Sequence, residues 1–62
     1  MLISLDNNLI IQSTEAVNGI PVDKLTVNGV LDMLSSKQFI VVTSEYNVDT
    51  IIATRHIIDI TL

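Results

Sequence analysis

The chain has 62 residues, no cysteine and a net charge of −4, so it forms at most one small domain without disulfide bonds. Lys24, Lys37 and Arg55 are its only basic side chains besides His56. They are too few and too dispersed for the basic footprint that binds phosphate backbones, which disfavours generic DNA or RNA binding. No apolar run approaches the roughly 20 residues that span a bilayer, and the first residues lack the basic flank of a signal peptide. We therefore expect a cytoplasmic protein that does not bind membranes.

The composition predicts a partner. Hydrophobic residues make up 48% of the chain but aromatic residues only 3%, so the core must be aliphatic. A chain of this size buries only about 60% of the surface that its unfolded form exposes. We expect apolar surface or open strand edges to remain, and hence a homo-oligomer.

Turn signals in the first half predict β-hairpins. Two short apolar stretches, residues 2–5 and 9–12, flank Asp6-Asn7-Asn8. Two similar pieces follow at residues 17–20 and 27–30, each with Asn-Gly between β-branched residues, which is the strongest short hairpin signal. In this interpretation, residues 22–27 and 30–34 are the strands beside the second Asn-Gly.

Residues 26–36 also fit a helix. Val27, Val30, Leu31 and Leu34 have the i, i+3, i+4, i+7 spacing of one amphipathic face. Gly29 costs such a helix about 1 kcal/mol relative to alanine. The strand is favoured and the helix remains the alternative.

Residues 38–62 predict three strands: 38–43, 48–54 and 57–62. The first begins with a continuous apolar run at 39–42 that is typical of an interior strand, with Phe39 in the core. The last is expected to point Ile58, Ile60 and Leu62 inward, after a bend at residues 55–56. The fold class predicted for residues 1–62 is one mainly β domain, a small SH3-like or Sm-like barrel of five to seven short strands, with α+β as the alternative.

Residues 27–62 resemble the Sm-like small barrels of the bacterial Hfq type. The resemblance rests on Gly29 before the strand at 39–42, and on Arg55-His56 just before the last strand. It implies a ring-forming barrel that binds RNA. Thr54 stands where that family has an aromatic residue that stacks a base, so the resemblance favours the ring architecture over RNA binding. SH3-like barrels have the same strand pattern.

No motif predicts catalysis, a cofactor or a metal site. A metal site needs several ligands at defined spacing, and one histidine with scattered carboxylates does not supply it. Nucleophile-elbow and phosphate-loop motifs are absent. The candidate interface or ligand contacts are Tyr46 and Asn47, in a polar turn, and Arg55 and His56, just before the last strand.

We expect a non-enzymatic, oligomeric interaction module that acts through protein–protein contacts. Short, acidic chains of this kind are often small regulators or inhibitors, including phage-encoded ones. The alternative is an Sm-like binder of RNA or nucleotides that uses Arg55, His56 and Asn47.

Overall fold

The first two strands form a hairpin about the polar corner at residues 6–8. The computed structural model describes residues 1–12 and 15–62. Strand β1 (Leu2–Leu5) pairs antiparallel with β2 (Ile10–Gln12). Asn8 takes a left-handed φ of 68°, and Asn7 Oδ1 accepts a hydrogen bond from the Leu9 N–H at 3.1 Å. The hairpin predicted around Asp6-Asn7-Asn8 is confirmed.

The next strands build a four-stranded antiparallel sheet in the order β4-β3-β5-β6. Asn18 and Gly19 take φ values of 50° and 78°, as a tight hairpin turn between β3 and β4 requires, so the first Asn-Gly prediction is confirmed. The apolar β5 lies between β3 and β6, as an interior strand should. The strands are β3 (Ala16–Val17), β4 (Ile20–Pro21), β5 (Phe39–Thr43) and β6 (Asp49–Ala53).

The second Asn-Gly lies in helix α1 (Val27–Ser36), so the favoured strand interpretation of residues 22–27 and 30–34 is wrong. Thr26 caps the helix, because its Oγ1 accepts a hydrogen bond from the Gly29 N–H at 3.0 Å. Neither Asn28 nor Gly29 adopts the positive φ that a hairpin turn needs. The helical alternative is confirmed, and it buries Val30 and Met33 while Val27 and Leu31 stay exposed.

Strand β7 (Ile57–Thr61) follows a 3₁₀ turn at Thr54–His56, where a bend was predicted. It pairs with β1 to complete a second sheet, β2-β1-β7. Ser4 lies opposite Asp59 and Leu5 opposite Ile57, so Ile58 is the extra residue of a β-bulge. The bulge interrupts the alternation. Ile60 packs on the core as predicted, and so does Ile57, whereas Ile58 and Leu62 are exposed, so their predicted inward positions are wrong.

One aliphatic core joins both sheets and α1. In β5, Ile40 and Val42 face this core, so Phe39 lies on the opposite face of the sheet and is half exposed, which makes its predicted core position wrong. Mainly β structure is confirmed. The hydrogen-bonded pairs between the seven described strands form two sheets and not one closed barrel. The core cluster consists of Ile3, Val17, Met33, Ile40, Val42 and Ile52.

Candidate functional site

The four residues predicted as contacts lie at opposite ends of β6. Tyr46 and Asn47 belong to the turn that enters this strand, and Arg55 and His56 to the 3₁₀ turn that follows it. A five-residue strand spans about 17 Å. The structure therefore separates the four residues into two pairs that do not share one site.

The turn between β5 and β6 displays Tyr46 to solvent. Ser44 Oγ accepts hydrogen bonds from the Tyr46 and Val48 N–H groups at 3.3 Å, and the Ser44 N–H donates to Val48 O at 3.0 Å. Asn47 takes the left-handed φ of 58° that the turn requires, which Asn tolerates. The Tyr46 side chain is 80% exposed, so it is available as a contact residue and contributes little to the core.

His56 contacts the N-terminal hairpin. Its Nδ1 lies 2.7 Å from Asp6 Oδ2, a hydrogen-bond distance in which Nδ1–H donates to the carboxylate. The Asp6 N–H also donates to His56 O at 2.9 Å. Both side chains are about half exposed. Sequence reasoning missed this pair because 50 residues separate its members.

An open groove of about 510 Å³ runs between β6 and the β1–β2 hairpin. The Asp6–His56 pair forms a polar part of its wall, while Leu5, Ile11 and Ile52 contribute apolar side chains. Because β6 is the last strand of its sheet, the groove lies where a further strand would pair. Sequence patterns identified β6 as a strand, but its edge position depends on strand order.

A second apolar groove, of about 440 Å³, lies between α1 and the end of β7. Val27, Leu31 and Leu62 line it and are all more than half exposed. These side chains were expected on a buried helix face and an inward strand face. Their exposure adds a second apolar patch, whose lining residues are not among those of the first groove.

Two further features concern metals and membranes. In residues 1–12 and 15–62, no group of three or more His, Asp or Glu side chains is placed to hold a metal ion. Over the same residues, no helix combines the length and the apolar character needed to cross a bilayer. The described residues around the two grooves present apolar side chains, a histidine–carboxylate contact and an open strand edge.

The fold and these surfaces define a small, mainly β domain with one helix and partly uncovered apolar faces. No protein-family model, curated protein or solved structure matches the chain. The resemblance to Sm-like and SH3-like barrels therefore stays a prediction, and function has to be argued from the surfaces themselves.

Proposed function

We propose that the protein is a non-enzymatic interaction module that assembles with copies of itself and acts as a small regulator or inhibitor of another protein. The observation that carries this proposal is the amount of apolar surface left in solvent. Among residues 1–12 and 15–62, exposed large hydrophobic side chains outnumber the buried ones, and three of them, Val27, Leu31 and Leu62, line one groove. Adjoining exposed apolar side chains of this kind mark interaction sites. The exposed set is Leu2, Leu9, Ile10, Ile20, Val27, Leu31, Phe39, Tyr46, Val48, Ile51, Ile58 and Leu62.

The arrangement of this surface supports contact with protein more than with a small molecule. Both grooves are open to solvent and lie next to exposed aliphatic side chains. Small-molecule sites instead enclose most of their ligand within a concave pocket. The two sheets around one core also support an open barrel of SH3-like or Sm-like kind, whose uncovered edges a neighbour would complete.

The lack of cysteine suits a reducing compartment such as the cytoplasm.

Sedimentation velocity over a range of micromolar concentrations tests self-assembly. We expect the mean sedimentation coefficient to rise with concentration, because mass action shifts an assembling chain toward its oligomer. Native mass spectrometry of the same samples gives the number of copies. A chain that remains monomeric throughout the range contradicts the proposal.

One structural feature favours the alternative of Sm-like RNA binding. The Thr54 hydroxyl donates to Lys37 O at 2.8 Å and to Gln38 O at 3.1 Å. This brings the backbone of Lys37 beside the turn that carries Arg55 and His56. Two of the three basic residues thus lie at one end of the β5–β6 hairpin, although the Asp6 carboxylate at His56 reduces the positive potential there.

A titration of labelled single-stranded RNA at two salt concentrations separates the two functions. RNA binding that weakens with salt and is lost in Arg55→Ala, but not in the matched control Lys24→Ala, supports the alternative. Absence of binding by a chain that still assembles supports the interaction module.

A further inference from the structure

β6 is the longest regular strand edge that the described residues leave open. The edges of the other outer strands are less suited to pairing with a further strand. β4 has two residues and ends in Pro21, which has no N–H to donate, and β2 has three residues. β7 carries the bulge at Ile58, which disrupts a flat edge. β6 pairs with β5 over all five of its residues without a register shift, and its other side has no strand partner among residues 1–12 and 15–62.

The hydrogen-bond pattern shows which backbone groups point outward from this edge. The Ser44 N–H donates to Val48 O, and the Thr54 N–H donates to Gln38 O. Hydrogen-bonded and non-hydrogen-bonded pairs alternate along an antiparallel ladder. Thr50 and Ile52 therefore direct their N–H and C=O groups toward β5. The N–H and C=O groups of Asp49, Ile51 and Ala53 consequently project from the open edge.

We infer that β6 pairs antiparallel with β6 of a second copy of the chain, with Ile51 opposite the partner subunit's Ile51. This inference rests on the proposed self-assembly and specifies its surface. The register places Asp49 opposite the partner subunit's Ala53, so all three outward-facing residues of each copy find a counterpart. The N–H and C=O groups of these three pairs then form hydrogen bonds across the two-fold axis, giving one continuous eight-stranded sheet.

The number of backbone pairs and the charge together favour this register, because it pairs all three outward-facing residues and keeps the carboxylates apart. Asp49 is the only charged residue of β6. In the register centred on Ile51, the two Asp49 carboxylates lie four residues apart along the strand, about 13 Å, which exceeds the Debye length of about 8 Å at physiological salt. A register centred on Asp49 would place the two carboxylates directly opposite each other, which is destabilising.

The apolar outer face of the sheet favours the same partner. Ile51 lies opposite Val41 in the β5–β6 pair and is 69% exposed. Joining two edges at Ile51 sets the two Ile51 side chains next to each other and extends the row to Val41 of each subunit. A single pair of edge strands buries less than the roughly 800 Å² per partner of a standard interface. The dimer should therefore dissociate on dilution.

Single cysteines test the register directly, because the chain has none of its own. Residues facing each other in a hydrogen-bonded antiparallel pair have Cα atoms about 5.5 Å apart, within the roughly 4.4–6.8 Å that a disulfide spans. We expect Ile51→Cys to form a covalent dimer under mild oxidation. Ala53→Cys is the matched control on the same edge, since its two copies would lie about 13 Å apart. Equal cross-linking of both variants, or of neither, overturns the inference.

A charge substitution gives a second, independent measurement. Ile51→Lys places like charges directly opposite each other and should raise the concentration for half-association by about tenfold or more. Ile58→Lys is the matched control, because Ile58 is 64% exposed and lies on the bulged edge strand β7. Circular dichroism checks that both variants fold. If the wild type assembles and Ile51→Lys assembles equally well, β6 is not the interface although the proposed function stands. A wild type that never assembles contradicts the proposed function as well.

Discussion

Asn18 and Val41 are joined by two hydrogen bonds, one of which is made by a side chain. The Asn18 N–H donates to Val41 O at 2.8 Å, and Asn18 Oδ1 accepts from the Val41 N–H at 2.8 Å. Asn18 is also the first positive-φ residue of the turn between β3 and β4. Asn18 thus forms part of the β3–β4 turn and also extends the hydrogen bonding between β3 and β5 one residue beyond Val17.

This double role predicts a graded response to substitution at Asn18. Asn18→Gly keeps the turn conformation and loses only the side-chain hydrogen bond, so we expect a loss of about 1 kcal/mol in unfolding free energy. Asn18→Ala adds the strain of a left-handed backbone and should lose about 2 kcal/mol or more. Urea denaturation followed by circular dichroism measures both values.

The second Asn-Gly provides the control. Asn28 lies in α1, where alanine is the better helix former, so Asn28→Ala should leave stability unchanged or raise it by up to about 0.7 kcal/mol. Equal losses of unfolding free energy for Asn18→Ala and Asn28→Ala would contradict the placement of Asn18 in a left-handed turn and of Asn28 in a helix.

The contrast between the two Val-Asn-Gly pieces shows how far the sequence predicts this fold. Short-range signals located the two N-terminal hairpins and the three C-terminal strands correctly, because turn residues and β-branched runs act locally. They did not discriminate hairpin from helix at Asn28-Gly29. That choice depends on Thr26 capping the Gly29 N–H and on the core receiving Met33. The contact pair Asp6–His56 and the open edge of β6 arise from strand order, which local patterns do not encode.

Removing the cap of α1 should destabilise the domain. Thr26→Ala leaves the Gly29 N–H without its side-chain acceptor and is expected to cost about 1 kcal/mol. Thr26→Ser retains a hydroxyl at the same place and should cost much less. Thermal and urea denaturation of the two variants measure the difference. Identical losses would show that the hydroxyl does not act as a cap.

The bulge in β7 predicts opposite consequences for two adjacent isoleucines. Ile57 is partly buried against the core, so Ile57→Ala should cost about 1–2 kcal/mol, less than the 2–5 kcal/mol typical of a fully buried site. Ile58 is mostly exposed, and Ile58→Ala should change stability by no more than about 0.5 kcal/mol. Denaturation at low protein concentration keeps assembly from contributing. A larger loss of unfolding free energy for Ile58→Ala than for Ile57→Ala would contradict the bulge and indicate regular alternation of side chains along β7.

The contact between Asp6 and His56 should contribute a small but measurable coupling. The two side chains are about half exposed, so solvent screens their interaction, and pairs of this kind typically contribute about 0.2–1 kcal/mol. Asp6→Asn, His56→Gln and the double variant form a thermodynamic cycle that isolates the pair, since the backbone hydrogen bond from the Asp6 N–H to His56 O remains in all of them. Asp59→Asn changes the net charge by the same amount as Asp6→Asn at an exposed site of β7, and combined with His56→Gln it serves as the control cycle. We expect the Asp6–His56 cycle to give a coupling free energy that stabilises the folded state. The Asp59–His56 cycle should give a coupling free energy close to zero. Equal coupling in the two cycles would mean that general charge, and not the 2.7 Å contact, links the hairpin turn to the end of β6.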